Sequence, residues 1–451
     1  MDEINAIELD RVRDLLAGKQ YAALRAELEE VQSVDIAEIM DDLEAKDTLI
    51  LFRLLHKDVA ADVFAFLSSQ QQQAIVESMS EQKLREIIAE LFFDDKIDFL
   101  EEMPASVVKR VIKTSSEEER RLINQFLNYP EDCAGSIMTI EHVSLKKEMT
   151  VRDALKHIKR TGLDKEIIYT CYVLNESRVL EGTVSLRKLV LADGDEIIGD
   201  IMNENVISVS TLDDQEEVAY LVRKYDLLSI PVVDKEHRLV GIITFDDIMD
   251  VIEEESTEDF HKMALMSPIV QEYLEASPLS LARKRIPWLL LLMVSATFTA
   301  TVIGTYEDIL AGVVILAAFI PMLMGTAGNA GFQSSTLVIR GMALGEIELT
   351  DYLKVFSKEL RVGAVVGTSL GLVNLLRMLL FGNDLVISVI VSISLGATVI
   401  MAKLLGGSLP IVAKLLRVDP AIMAGPMITT FVDVLSLLVY FNVASSLLGG
   451  F

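Results

Sequence analysis

Arg283-Lys284-Arg285-Ile286-Pro287-Trp288-Leu289-Leu290-Leu291-Leu292 marks the point at which the 451-residue chain changes character. Three consecutive cations end, and an apolar run of about 20 residues begins, long enough to cross a bilayer as a helix. Four more such runs follow, so the expected spans are 287–306, 309–339, 361–381, 385–405 and 422–448. The second is long and is interrupted by Gly325, Gly328 and Gly331, so a break or a tilt is expected there. The third is expected to reach back through an amphipathic extension over 352–360. Lys and Arg flank alternate ends of these runs: Arg283, Lys284 and Arg285 before the first, Arg340, Lys354, Lys358 and Arg361 between the second and third, Lys414 and Arg417 between the fourth and fifth. The intervening loops, Thr305-Tyr306-Glu307-Asp308 and Gly382-Asn383-Asp384, carry no Lys or Arg. Cationic loops stay in the cytosol, so the expected topology has a cytosolic N-terminus and a C-terminus outside, in a cell inner or plasma membrane.

Upstream of this point the chain is strongly acidic. The formal net charge is −27, yet the residues from Arg283 onward hold 11 Lys+Arg and 9 Asp+Glu, leaving 30 basic against 59 acidic residues ahead of them. Phosphate backbones are bound by clustered Lys and Arg, so nucleic acid is excluded as a partner. A cation-binding surface suits the balance, as does a self-repelling soluble domain. Cys133 and Cys171 form no CxxC pair and have no His at ligand spacing, and read as ordinary thiols of a reducing compartment. No basic-then-apolar leader opens the chain, so the first span is expected to direct it to the membrane. No HExxH, GxSxG or GxxxxGK[ST] pattern is present, and an enzyme is not expected.

Residues 33–114 repeat every 12 residues. Leu43, Leu55, Leu67, Met79, Leu91 and Met103 form one apolar column, Ile39, Leu51, Val63, Ile75, Ile87 and Phe99 a second, and Met40, Phe52, Phe64, Val76, Ile88 and Leu100 a third. The spacing i, i+1, i+4 is one face of a helix, predicting six short helices stacked as a solenoid with a shared core. Phe93-Asp94-Asp95 ends one repeat and reads as a solvated turn.

A duplicated α/β pattern follows. Ser136-Ile137-Met138 is echoed by Asp200-Ile201-Met202, and the helix start at Thr150-Val151-Arg152-Asp153 by Asp214-Gln215-Glu216-Glu217. The strand Tyr172-Val173-Leu174 returns as Pro231-Val232-Val233, and Gly182-Thr183-Val184-Ser185 as Gly241-Ile242-Ile243-Thr244. The pattern resembles a tandem pair of CBS domains. That resemblance implies an adenine-nucleotide site built on Thr/Ser and a following Asp. The second copy keeps Thr244 and Asp247, whereas the first has Ser185 with Lys188 at the Asp position, so one ATP site is expected rather than two.

The last helix of this pattern continues as an acidic one, with Asp247, Asp250, Glu254 and Glu258 on one face and no matching Lys ladder. Two carboxylates ~6 Å apart repel by roughly 0.7 kcal/mol in water and about 3 kcal/mol at a partly buried contact. Either this face is solvated, or, where it meets another acidic domain, a divalent cation must neutralise it, and hard oxygen ligands favour Mg2+ or Ca2+.

Within the membrane, Asp433 has no Lys or Arg in its span, and a charge there is costly enough to mark function. It reads as a cation ligand facing a water-filled path. Asn329 and Gln333, at i and i+4 in Gly325-Thr326-Ala327-Gly328-Asn329-Ala330-Gly331-Phe332-Gln333-Ser334-Ser335, present two amides on one face. Mg2+ sheds water reluctantly, so a ring of oxygens around its hydrate suits it better than a tight cage. Asn374 is a weaker candidate, and Arg377 is expected to snorkel.

The order of these parts resembles the MgtE family of magnesium channels, most specifically over 321–340 and from Asp419-Pro420 to Asp433. The resemblance implies a multi-domain fold: an N-terminal α-helical superhelix (1–132), a tandem α/β CBS pair (133–200 and 201–252), a connecting plug helix (253–280) and a five-helix α transmembrane pore domain (281–451). It implies a homodimer in a lipid bilayer, with Asp433 binding Mg2+ in a pore. It also implies a cytosolic Mg2+ sensor drawn from Asp94 or Asp95, Glu216, Asp226, Asp247, Asp250, Glu255, Glu258 and Asp259, which closes the pore when Mg2+ accumulates. The rival expectation is a CBS-regulated secondary transporter of Mg2+ or another divalent cation.

Overall fold

The computed structural model describes residues 9–268, 273 and 276–448. It divides into two units, Met1–Ile252 and Glu253–Phe451. The first opens with α1 (Leu9–Ala17) and α2 (Tyr21–Leu28). The array follows: α3 (Ser33–Asp41), α4 (Ala45–Leu54), α5 (Lys57–Phe66), α6 (Ser69–Ser78), α7 (Glu81–Glu90), α8 (Phe93–Glu102), α9 (Ala105–Thr114) and α10 (Glu117–Phe126). Seven helices, not six, fill 33–114, and the 12-residue period runs on into α10, where Ile123 is fully buried. Two of the three columns lie on the helices as expected: Leu51, Val63, Ile75 and Met40, Phe64, Val76 are essentially inaccessible. The third does not. Leu55, Leu67, Met79, Leu91 and Met103 stand just past helix ends, in extended backbone. A 10-residue helix plus a two-residue link makes the period, and the link's apolar residue pins the chain back to the core. Alternate helices stack, α3 on α5, α5 on α7 and α7 on α9, with α4 on α6 and α6 on α8 forming the other row.

Two three-stranded sheets follow. β1 (Val143–Leu145), β2 (Thr170–Leu174) and β3 (Leu180–Ser185) lie in that order, with α11 (Val151–Thr161) before β2 and α12 (Leu186–Leu191) and α13 (Ile198–Ile201) after β3. The second sheet is β4 (Val209–Ser210), β5 (Ser229–Val233) and β6 (Leu239–Thr244), with α14 (Gln215–Tyr225) between β4 and β5. Each sheet has one parallel and one antiparallel pair, and the registers match: Val173 opposes Gly182 as Val232 opposes Gly241. Thr150 and Asp214 cap the expected helices by accepting from Asp153 N and Glu216 N. The echoed lead-in segments pair crosswise. Thr139 exchanges two backbone hydrogen bonds of 2.8 Å with Ile242 of the second copy, and Asn203 pairs with Thr183 of the first. This explains the repeated glycines. A Cβ at Gly182 would lie 2.7 Å from Met202 Sδ, and one at Gly241 2.7 Å from the Thr139 carbonyl oxygen.

α15 (Phe245–Met263) continues from β6 without a break. Of the expected connecting helix over 253–280, α15 supplies the part up to Met263, and a new helix begins at Pro278. Leu265, at φ 51°, lies in the left-handed region that ends helices. Residues 269–272, 274 and 275 of that expected helix lie outside the described residues, as do 1–8 and 449–451 of the expected terminal domains.

Among the described residues, the second unit holds five helices long and apolar enough to cross a membrane. α16 (Pro278–Thr305) starts at a Ser277 cap, so Arg283, Lys284 and Arg285 lie within the helix. The second span is broken, but not at its glycines. α17 (Glu307–Gly312) stops, a 3-10 turn covers Val314–Phe319, and α18 (Ile320–Ala343) is continuous through Gly325, Gly328 and Gly331. Pro321 in the first turn of α18 suits a new helix start, because its missing N–H is not needed there. α19 (Tyr352–Leu380) includes the amphipathic extension, and α20 (Leu385–Leu415) outruns its expected end. α21 (Gly425–Leu448) begins after a 3-10 turn, Pro420–Met423, that Asp419 caps. α20 is the hub, packing on α18, α19 and α21, with Ile390, Val391, Val399 and Ala402 buried.

The α18–α20 contact is backbone on backbone: a Cβ at Gly406 would overlap the Gly331 carbonyl oxygen. Gly406→Ala should cost about 2 kcal/mol or more through overpacking, read as a lower unfolding midpoint of the purified protein in detergent. Gly304→Ala, at a position with open space around it, should leave the midpoint unchanged.

Candidate cation sites

Asp94 and Asp95 do not form a solvated turn. They occupy the first turn of α8, and Asp94 is buried. Capping a helix N-terminus favours a carboxylate locally, but α8 brings Asp94 against two more acids. Carboxylate oxygens of Asp94, Glu166 and Asp247 all lie within 4.8 Å of one another. At that distance, each pair of ionised carboxylates repels by about 3 kcal/mol at an effective dielectric of ~20. Among the described residues no Lys or Arg is paired with any of the three, and Asp94 Oδ1 and Glu166 Oε2 are buried without a hydrogen-bond partner. Burial, with Asp94 and Asp247 adding repulsion, pushes Glu166 far above its ordinary range. Burial and then Asp95 raise Asp94 in the same direction. Burial followed by Asp94 pushes Asp247 up to about 7, and burial followed by Asp247 pushes Asp95 up to about 6. Three oxygen donors, two of them orphaned, suit a hard divalent cation.

Of the expected sensor residues, the structure brings Asp94, Asp95 and Asp247 together. Glu166 was missed: it sits in irregular chain next to Lys165, outside any periodic pattern. Glu216 and Asp226 stand at opposite ends of α14, Glu216 in its first turn and Asp226 as its left-handed C-cap at φ 50°.

A second acidic group lies lower on α15. Lys262 Nζ bridges Glu258 and Asp419, 2.7 Å from each. Burial disfavours the ammonium, but its hydrogen bonds to Asp419 and Glu258 outweigh this and raise its pKa. Asp259 is pushed up to about 6 by burial, then by Asp419, with Glu255 adding to the repulsion. Glu258, Asp259 and Glu255 were expected here. Asp419 lay in a loop, and Lys262, one turn after Glu258, is a single cation and not a ladder along the acidic face. Asp250 is exposed on the same helix.

The expected nucleotide pair is closed on itself. Thr244 is fully buried, and its Oγ1 donates to Asp247 Oδ2 at 2.5 Å, inside the acidic group. An open cleft of about 380 Å³ lies instead beside the first copy, lined by Tyr172, Thr183, Ser185, Lys188, Asp226 and Pro231.

In the membrane-spanning unit, α18 meets α21 where Gly328 faces Thr429 and Gly331 faces Val432 and Ile428. Asn329 follows Gly328, and Asp433 stands one turn beyond Thr429. Asn329 and Gln333 are exposed and Asp433 half-buried. Among the described residues none of the three side chains has a hydrogen-bond or ion-pair partner. Asn374 differs: it is buried, donates to Ser392 Oγ at 3.0 Å and accepts from Arg377 at 2.9 Å. That bond gives Arg377 a partner in its own helix.

Residues 320–443 match the model of MgtE, a divalent cation transporter family, residues 31–132 the MgtE intracellular N domain, and residues 134–195 and 198–254 the CBS domain. The magnesium transporter MgtE of Thermus thermophilus is 38% identical over 99% of each chain. That of Bacillus subtilis is 33% identical over 97% of this chain and 96% of its own. The solved cytosolic domain of the Mg2+ channel MgtE in complex with ATP superposes with a TM-score of 0.52 at 37% identity, covering 54% of this chain and all of that one. Spanning its relatives almost end to end, with the helical array, the CBS pair and the membrane helices in the same order, the chain belongs to the MgtE family of divalent cation transporters.

Proposed function

We propose that this chain is a Mg2+ channel whose cytosolic carboxylates, when bridged by Mg2+, hold it closed. One observation carries the transport reading: Asp433, Asn329 and Gln333 are polar groups on membrane helices with no partner among the described residues. In hydrocarbon such groups need water, an ion or a second copy of the chain. A homodimer would double each of them around one axis, giving the wide ring of oxygens that a hydrated Mg2+ requires. With the N-terminus cytosolic and the C-terminus outside, an inside-negative potential draws the cation inward by about 2.3 kcal/mol per charge per 100 mV.

The gating reading rests on the Asp94–Glu166–Asp247 group. Without a cation, three ionised carboxylates within 4.8 Å oppose the contact between α8 and the start of α15. A divalent cation removes that repulsion and shifts the population toward the joined state. The Glu258–Asp259–Asp419 group, with one ammonium for three carboxylates, is a second place where a divalent ion would favour closure. The open cleft at Ser185 and Lys188 is the better seat for ATP than Thr244–Asp247, because phosphates at the latter would meet uncompensated acid.

Purified protein in liposomes should pass Mg2+ down its gradient with no counter-ion, and Asp433→Ala should reduce the flux to that of empty liposomes. Flux that depends on a H+ or Na+ gradient would instead mark a secondary transporter.

Asp94→Asn with Asp247→Asn should raise the internal Mg2+ needed for half-closure by about ten-fold or more.

The raised pKa values also set a pH dependence. A carboxylate whose folded pKa is raised favours the folded state while protonated, and that contribution is lost as pH rises from about 4 through about 7 for Asp94 and Asp247 and through about 9 for Glu166. Metal needs the deprotonated oxygens, so protection of the cytosolic region from protease by Mg2+ should strengthen between pH 6 and pH 8. Equal protection across that range would count against this group as the sensor.

A further inference from the structure

Two charges that the proposed cation path does not use lie inside the membrane-spanning bundle. Lys403 of α20 is 5% exposed and Glu359 of α19 is 9% exposed. They do not meet directly. Ser334 of α18 stands between them, its Oγ donating to Glu359 Oε2 at 2.6 Å and accepting from Lys403 Nζ at 3.3 Å. Lys403 also reaches the Ala330 carbonyl oxygen at 3.5 Å. The helices are close here: Gly406 abuts Gly331, and a Cβ at Gly407 would lie 2.7 Å from Glu359 Cγ.

Burying an ion costs several kcal/mol even after relaxation, and a shared hydroxyl is an indirect way to pair two charges. What the arrangement does is tie three helices through one residue of α18. Ser334 follows Gln333, so it points about 100° round the helix from it. A turn of α18 that took Ser334 off Glu359 would carry the Asn329 and Gln333 amides with it. Their tips lie about 5–6 Å from the helix axis, so a 20° turn displaces them by about 2 Å, beyond the ~0.5 Å tolerance of a functional site.

We propose that Lys403 and Glu359, acting through Ser334, are positioning residues that fix the rotation of α18 and so aim Asn329 and Gln333 at the cation. This rests on the reading of those amides and Asp433 as the cation path. Lys403 is not itself a ligand; it neutralises Glu359 from the far side of Ser334, so that the hydroxyl has one stable orientation.

The test compares Ser334→Ala, Lys403→Met, Glu359→Gln and the double variant Lys403→Met/Glu359→Gln as full-length protein in liposomes. Mg2+ flux and the Mg2+ to Ca2+ flux ratio are read per folded molecule. A misplacement of this size should lower Mg2+ flux about ten- to a hundred-fold in each single variant and shift the ion ratio. The double variant keeps a hydrogen bond between Ser334 and the amide introduced by Glu359→Gln, with no unpaired charge, and should recover to within about three-fold of the parent. Reaction of Asn329→Cys with a methanethiosulfonate reagent reports α18 rotation independently of flux, and its rate should change in the single variants and return in the double. If the single variants lose thermal stability but keep the parent ion ratio and labelling rate, the role is structural and the proposal fails. It also fails if the double variant is no better than the singles. Asp433→Ala separates the two readings: normal flux in that variant would overturn the cation path, while the labelling rates would still decide the rotation.

Discussion

Carboxylates held closer than about 5 Å without a cation of their own organise the N-terminal half of this chain. Asp94 arrives on a helix of the array, Glu166 on the loop before β2, and Asp247 on the first turn of α15. Each is placed there by structure that forms for other reasons: the 12-residue period sets α8, the sheet sets β2, and the turn out of β6 sets α15. Mutual repulsion of about 3 kcal/mol per pair is comparable to what a well-packed side chain contributes. The fold therefore tolerates these acids only if protons or metal share the site. Their raised pKa values and orphaned oxygens are two expressions of one shortage of positive charge.

The membrane half meets the opposite condition. There the scarce resource is water, and polar groups divide by whether the chain satisfies them. Asn374, Lys403, Glu359 and Ser334 find partners within the bundle. Asp433, Asn329 and Gln333 find none among the described residues. Helices packed through Gly331 and Gly406, and through Gly367 and Gly396, approach closely enough for the first set to bond across them.

Much of this was legible in the sequence, and the gaps have physical causes. Period and apolar run length gave the array, the α/β duplication and the five spans, because burial imposes those patterns along the chain. Helix ends were less legible: α15, α16 and α20 cross the expected boundaries since capping residues and local backbone, not hydropathy, decide where a helix stops. Leu55 and Leu67 looked like helix positions because a link residue that packs inward has the same composition as one on a helix. Glu166 and Asp419 come from irregular segments, where no pattern marks a residue that folding brings to a distant acid. Lys403 and Glu359 were within reach, since the rule that picked out Asp433, a charge amid apolar residues, applies equally to Lys403.

The crossed lead-ins of the α/β pair bear on the order in which the chain can fold as it is made. Thr139 finds its strand partner only when Ile242 exists, so neither half of the duplication closes before the whole has been synthesised. Only α15 and a short connection separate that moment from the emergence of α16. Domains generally fold in order of synthesis, and here the α/β pair can complete itself only as the first membrane helix becomes available for insertion. A stall or truncation between the two copies would leave the Thr139 lead-in unpaired and the β3 edge at Thr183 uncovered, a template for mispairing with neighbouring chains.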